Sequence, residues 1–393
     1  MDKIRTIILQ PTSLCNLNCS YCYIPEESRK NKEKMEFSIL EKIVKAIFSS
    51  HEIDKNLKLV WHSGEPLTAG IPFYEKATEI INHYKPPNIN IIQGVQTNAV
   101  LINDAWCQFI KENNFSIGVS IDGPKEIHDK NRLNWSNKGS FGLTMRGIGF
   151  LKKHDISFTA LMVITRDSLD FPDQIVDFFL ENEISDIGFN IEELTGSNAS
   201  SSLTNKENTE ERYKKFIDRF IDLWMQHSTK IRVREFEKLT AYIMKKLNNP
   251  KFVAPQIESA ERGILTINQN GNIIPFSPDL AFGTIDDKEL FVVDNIKKIS
   301  NLSPIFETPK FKEMSHAIQE GVRKCKKECE YFDLCGGGHP TNKFFEWGTF
   351  SVSETKFCRY FFQFIIDSLL EKFSKENKFV FSESSLREVY HVD

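Results

Sequence analysis

Between residues 4 and 190, short runs rich in β-branched and aromatic residues alternate with longer segments whose apolar residues recur at helical spacing. The runs are 4–10, 57–63 (LKLVWHS), 89–97 (INIIQGVQT), 115–121 (FSIGVSI), 157–164 (SFTALMVI) and 186–190 (DIGFN). The helical segments lie near 38–50, 73–84, 104–113, 143–154 and 172–182. Such alternation demands a parallel sheet, because each strand returns to the same edge through a crossover helix. Six repeats predict an α/β fold over residues 1–200, a parallel sheet curved into a partial or complete βα barrel.

The stretch GSNASSSLTNKENTEE, 196–211, is polar and rich in small residues, which marks a boundary loop. Two helical segments follow, ERYKKFIDRFIDLWMQHS and about 232–247, so residues 201–255 are expected to form a helical linker region. ILTINQNGNIIPF, 264–276, places an Asn-Gly pair between two apolar runs and predicts a β-hairpin. It opens a third unit, 256–393, which ends with a Phe-rich helix near 359–373. Lys and Arg number 50 against 54 Asp and Glu, a net charge of −4 that speaks against nucleic acid as a partner. No run approaches 18 apolar residues, and Met1 is followed by Asp-Lys-Ile-Arg, so neither a membrane span nor a signal peptide is expected and the chain is read as cytoplasmic.

In a βα barrel the loops after the strands line one face, where chemistry gathers. Here that face receives Cys15, Cys19 and Cys22 after the first run, His62-Ser63-Gly64-Glu65-Pro66 after the second, and Gln96-Thr97-Asn98 at the end of the third. Ser120-Ile121-Asp122-Gly123 ends the fourth, and Asn190, Glu192 and Glu193 end the sixth. A cytosolic chain rarely keeps disulfides, so tight cysteine clusters read as metal sites, whereas lone Cys107 reads as a buried helix residue. Three close thiolates can hold a [4Fe-4S] cluster by three irons and leave the fourth iron open. Zinc is the alternative, with His62 as a fourth ligand.

CNLNCSYC, 15–22, resembles the cluster motif of the radical S-adenosylmethionine (SAM) enzymes. By that resemblance Tyr21 packs near the adenine, Gly64-Glu65-Pro66 receives the SAM amino group, and Thr97, Asn98, Ser120 and Asp122 surround the ribose and methionine part. His128, Asp129 and Arg132 would brace the loop beside them. The resemblance implies a partial (βα)6 barrel, in agreement with the count of repeats, and an oxidoreductase in which a 5′-deoxyadenosyl radical, made by one-electron cleavage of SAM, abstracts hydrogen from a substrate. A reductase or flavodoxin would supply the electron.

CKKECEYFDLCGGGHP followed by Cys358 resembles the SPASM extension of radical SAM enzymes that modify peptides. Cys325, Cys329, Cys335 and Cys358 match the ligands of one auxiliary [4Fe-4S] cluster, although four thiolates also suit zinc. Two cysteines of the full extension are replaced, by Phe276 at the hairpin end and by His339 after Cys335, and none stands before the hairpin. The inner auxiliary cluster is therefore expected to be missing and its place freed for substrate. A product radical would then pass its electron to the outer cluster.

FNIEELTGSN and CGGGHP further resemble the enzymes that close three-residue cyclophanes in ribosomal peptides, joining an aromatic ring to a β-carbon. On that resemblance the substrate is a precursor peptide and the modification is RiPP maturation. Asn190, Glu192 and Glu193 would face the peptide, and Asp279 would be the base for the proton released on bond formation. The alternatives are a thioether-forming or epimerising peptide maturase, an anaerobic sulfatase-maturating (formylglycine-generating) enzyme, and a zinc or iron-sulfur scaffold without catalysis.

Overall fold

A computed structural model describes residues 3–204, 207–282, 284–285 and 288–376; residues 377–393 of the third expected unit lie outside the described residues. The strands are β1 (Ile4–Leu9), β2 (Ile53–Trp61), β3 (Asn90–Thr97), β4 (Ser116–Ser120), β5 (Phe158–Ile164), β6 (Asp186–Ile191), β7 (Arg232–Val233), β8 (Ile264–Ile267), β9 (Asn272–Pro275), β10 (Thr284–Ile285), β11 (Lys288–Glu289) and β12 (Asp294–Asn295). The α-helices are α1 (Glu26–Lys30), α2 (Phe37–Phe48), α3 (Ile71–Tyr84), α4 (Asp104–Glu112), α5 (Lys125–Asn131), α6 (Phe141–Lys153), α7 (Pro172–Glu181), α8 (Thr209–Gln226), α9 (Arg234–Asn248), α10 (Pro309–Glu328), α11 (Phe332–Cys335), α12 (Pro340–Trp347), α13 (Lys356–Cys358) and α14 (Phe364–Glu376).

The first six strands pair in parallel and in chain order. The longer helices between them, α2, α3, α4, α6 and α7, each turn an apolar stripe into the core. In α2 the buried residues include Ile39, Leu40, Ile43, Val44 and Ile47, the spacing of one helical face, with Ala46 beside them. In α4 it is Trp106, Cys107, Phe109 and Ile110, behind an N-cap in which Asn103 Oδ1 accepts from Trp106 N at 3.0 Å. Burying each such large apolar side chain contributes about 1.5–3 kcal/mol against the entropy of ordering it. Trp61, Tyr74 and Trp106 meet edge to face between β2, α3 and α4, with centroids 5.3 and 5.5 Å apart.

The segment expected as a linker is docked on the barrel. β7 pairs in parallel with β6, α8 packs on α7, and α9 lies against β6. Phe189, Phe220, Phe236 and Trp224 close that contact. The hairpin forms as expected, with Gly271 at φ +82°, and a Cβ at Gly271 would stand 2.6 Å from Ile296 Cγ2. Its partner strand was not legible from local pattern: β8 lies parallel to β1, so the order β12-β9-β8-β1-β2-β3-β4-β5-β6-β7 makes one ten-stranded sheet. The third unit thus covers the free edge of β1 and continues the barrel's own ladder.

Candidate active site

The loop after β1 is held from both sides. Cys15 N donates to Arg29 O at 2.9 Å, Asn18 N to Leu133 O at 2.6 Å, and Ser20 N to Asn131 O at 2.9 Å. Trp135 Nε1 donates to Cys15 O at 2.9 Å, and Arg29 Nη1 to Asn18 Oδ1 at 2.6 Å. Burial raises the pKa of all three thiols; Cys19 reaches about 12, with the Arg132 charge opposing the rise and Cys22 adding to it. Three half-buried thiols near enough to feel one another's charge, with Leu17 N donating to Cys15 Sγ at 3.4 Å, are a donor set that suits a cluster held by three irons. Among the described residues no three His, Cys, Asp or Glu side chains converge at the spacing of a single ion. Burial drops the pKa of His62 to about 4, and among the described residues its Nδ1 has no hydrogen-bond partner.

The positions expected around SAM gather beside this loop. Ser63 and Gly64 both take left-handed backbone, φ 71° and 67°, to make the turn after β2. Glu65, 1% exposed, accepts from Thr97 Oγ1 at 2.7 Å, Asn98 N at 2.8 Å and Leu67 N at 3.0 Å, while burial lifts its pKa to about 7. It thereby staples the loop after β2 to the end of β3, and Pro66 starts the short helical turn that follows. Asn98 Nδ2 reaches back to Asn16 Oδ1 of the cysteine loop at 2.7 Å, and Ser120 Oγ accepts from Gln96 Nε2 at 2.9 Å. Tyr21 donates to Asp122, whose other oxygen accepts from Arg132 Nη2 at 3.0 Å and Val163 N at 2.9 Å. The Arg132 guanidinium sits 5.5 Å from the Tyr21 ring centroid. His128 accepts from Asp122 N at 3.4 Å and Asp129 from Phe141 N at 2.8 Å, so both brace the same corner.

Beside Cys22 and Tyr23, Glu193 accepts from Asn342 Nδ2 at 2.8 Å and feels the charge of Asp279 in the turn Pro278–Phe282. Burial, then the nearby Glu258 charge, raises Asp279 to about 7. Burial also raises Glu258 to about 7 and Glu193 well above the ordinary range. Tyr23 lies in the same recess, its hydroxyl 3.2 Å from Ser63 Oγ and its ring 5.7 Å from Phe282. Glu192 does not join them: its carboxylate is taken by Ser202 N at 2.8 Å and by the Ser202 hydroxyl, and so anchors the following loop. Asn190 is half-buried in β6.

Cys325, Cys329, Cys335 and Cys358 line one small enclosed cavity, together with Lys343, Thr355 and Phe362. The last turn of α10 and its cap supply the first two, α11 the third, and α13 the fourth. Gly337 N donates to Cys335 Sγ at 3.4 Å and Thr355 N to Cys358 Sγ at 3.2 Å, the sulfur-directed donors a four-thiolate cluster uses. Burial pushes Cys335 up to about 12 and Cys358 to about 11. The expectation that the inner position is freed for substrate needs correction, because aromatic packing fills both replaced positions. Phe276, at φ 72°, is fully buried and stacks on Phe311 at 5.6 Å. His339 is ringed by Phe357, Phe361 and Phe362, and burial lowers its pKa to about 3. Its Nδ1 stands 3.6 Å from Glu258, but an uncharged imidazole makes this no ion pair at neutral pH.

Tyr23, Glu258, Asn342 and Lys343 were not legible as site residues. Tyr23 follows the last cysteine directly and Lys343 lies eight positions after Cys335, so proximity to the motifs was the signal available. Glu258 carried none.

Residues 9–179 match the family profile described as the Radical SAM superfamily. Uncharacterized protein sll1766 of Synechocystis sp. is 39% identical over 370 residues, 93% of this chain and 90% of that protein. The cysteine-type anaerobic sulfatase-maturating enzyme of Clostridium novyi is 30% identical over 355 residues, 87% of this chain and 89% of that protein. Among solved structures, native anSMEcpe with bound AdoMet superposes with a TM-score of 0.76 at 24% identity, covering 94% of this chain and 99% of that one. The same protein with AdoMet and a Cp18Cys peptide gives 0.74 at 24% identity, over 93% and 98% of the two chains. These structures share the fold seen here.

Proposed function

Because the chain belongs to the radical SAM superfamily, as a relative of anaerobic sulfatase-maturating enzymes, we propose that it acts on a peptide and joins two of its carbons, an aromatic ring carbon to a β-carbon, closing a cyclophane in a ribosomally made precursor. A [4Fe-4S] cluster with SAM supplies hydrogen-atom abstraction, and one auxiliary [4Fe-4S] cluster supplies an electron acceptor. The protein's own residues do the rest. Cys15, Cys19 and Cys22 hold the first cluster and Cys325, Cys329, Cys335 and Cys358 the second. Glu65, Thr97, Asn98, Ser120, Asp122 and Tyr21 shape the SAM pocket, with Gly64 and Pro66 setting its turn.

The observation that carries this reading is Asp279. It lies in the recess with Tyr23 and Glu193, within electrostatic reach of Cys22, and burial brings its pKa to about 7. A carboxylate so poised accepts a proton at neutral pH. Forming the ring-to-carbon bond removes one hydrogen atom from the β-carbon; the ring carbon then gives up one electron and one proton, and Asp279 takes the proton. A reductase or flavodoxin provides the electron that starts each turnover.

The relatives named as sulfatase-maturating enzymes favour a second reading, oxidation of a cysteine or serine in a sulfatase to formylglycine. The test is anaerobic reaction of the reduced, iron-loaded protein with SAM and two peptides. One carries an aromatic residue two places before Asn, Lys or Arg; the other carries a sulfatase cysteine or serine. Loss of two hydrogens from the first, with a carbon–carbon link in its fragment spectrum and no capture by hydrazine, is expected. A hydrazine-reactive aldehyde on the second peptide alone would replace the crosslink with formylglycine formation.

A further inference from the structure

Lys343, on α12, is 4% exposed, and its ammonium faces the cavity lined by the four C-terminal cysteines. Its Nζ donates to Cys325 Sγ at 3.2 Å, and no carboxylate is among the residues lining the cavity it faces. The approach is built into the neighbouring helix. Gly321 stands one turn before Cys325 on α10, and a Cβ there would meet Lys343 Nζ at 3.2 Å and Phe350 O at 2.1 Å. A buried ammonium is costly unless an opposite charge faces it. Four thiolates around an iron-sulfur cluster provide that charge.

We propose that Lys343 tunes the second cluster, raising its reduction potential through a charged hydrogen bond to the Cys325 sulfur. The inference rests on reading the four-cysteine cavity as the auxiliary cluster site. A cluster bound by four thiolates is net negative and becomes more negative when reduced. A buried cation at hydrogen-bond distance therefore stabilises the reduced form more than the oxidised form. The shift suits this cluster to receiving electrons. Lys343 touches a ligand rather than substrate, so its role is positioning and electrostatic.

The test is a redox titration of the anaerobic holoenzyme followed by electron paramagnetic resonance, on the wild type and on K343M, K343Q and K343R, with iron counted in each. About eight irons in the wild type, two four-iron clusters, establish the site itself; about four would overturn the reading of the cavity and leave Lys343 out of account for that reason. With the site established, the midpoint of the second cluster should fall in K343M, fall less in K343Q, which keeps an N–H donor, and stay near the wild type in K343R. The midpoint of the first cluster should not move. An unchanged second midpoint in an iron-replete K343M or K343Q overturns the proposal. If both neutral variants lose the second cluster while K343R keeps it, charge compensation is supported; loss from all three makes Lys343 a packing residue and overturns it.

Discussion

Tyr21 and Asp122, 101 positions apart in the chain, meet in a hydrogen bond of 2.5 Å. Through it the cysteine loop is fastened to the end of β4, and the same carboxylate also holds Arg132 and the backbone of β5. One buried charge pair therefore anchors both the cluster loop and the wall of the pocket beside it.

Breaking that pair from one side should be expensive. The side chains of Arg132 and Asp122 are 8% and 1% exposed. Arg132→Met leaves the carboxylate buried without its partner, for an expected loss of about 3–5 kcal/mol. Adding Asp122→Asn should restore part of it. Urea unfolding of the anaerobic protein measures both, and an R132M midpoint equal to the wild type would show that the pair does not hold the loop.

The two cysteine sets should separate cleanly. Cys19→Ala is expected to abolish 5′-deoxyadenosine formation from SAM, whereas Cys358→Ala should lose only the second cluster, about half the iron. Iron and sulfide content with deoxyadenosine assay decide this. Undiminished SAM cleavage by C19A would remove the first set from the chemistry.

Asp279→Asn should uncouple the reaction: SAM is still cleaved while crosslinked product drops at least tenfold. In the wild type, product formation should rise with pH through about 7, where Asp279 loses its proton. Stability should move the other way. Asp279 and Glu258 have folded pKa values above their ordinary ones, so between about pH 4 and 7 the folded state holds more protons and stability falls as pH rises. Thermal melts from pH 5 to 7.5 should show this slope, reduced in D279N.

Two glycines of α6 give a paired test of packing. A Cβ at Gly147 would stand 2.0 Å from the carbonyl oxygen of Ala99, backbone that cannot swing aside, whereas a Cβ at Gly149 would meet nothing within 4 Å. Gly147→Ala should cost about 1–3 kcal/mol by overpacking. Gly149→Ala should be neutral or stabilising by up to about 1 kcal/mol, as alanine is the better helix former. Equal melting temperatures for the two variants would contradict the close approach of α6 to the loop after β3.

Most strands and longer helices of the barrel stood in the sequence to within about two residues, because each buries one face and its periodicity follows from that; β2 starts at Ile53, four residues before the run at 57–63, and the short helices α1 and α5 were not expected. The helix expected near 38–50 is Phe37–Phe48, and the run at 157–164 is Phe158–Ile164. The two groupings of cysteines and the turn at 62–66 were legible too, since residues of a short-range motif stay together when the chain folds. The pairing of β8 with β1 was not, because strand neighbours so far apart in sequence leave no local trace. Glu192 illustrates another limit: its position beside Glu193 gave no sign that Ser202 would occupy it. Glu258 and Lys343 acquire their settings from elements that close on them only in the folded chain.

The parallel pairing of β8 on β1 has a mechanical meaning. The strand that leads into the cysteine loop and the hairpin that leads into the Asp279 turn are adjacent rungs, in register from Thr6 opposite Ile264 to Leu9 opposite Ile267. The cysteine loop and the Asp279 turn are thus spaced by the backbone hydrogen bonds of one sheet, as the jaws of a vice are set by its screw, and side-chain changes elsewhere leave that spacing in place.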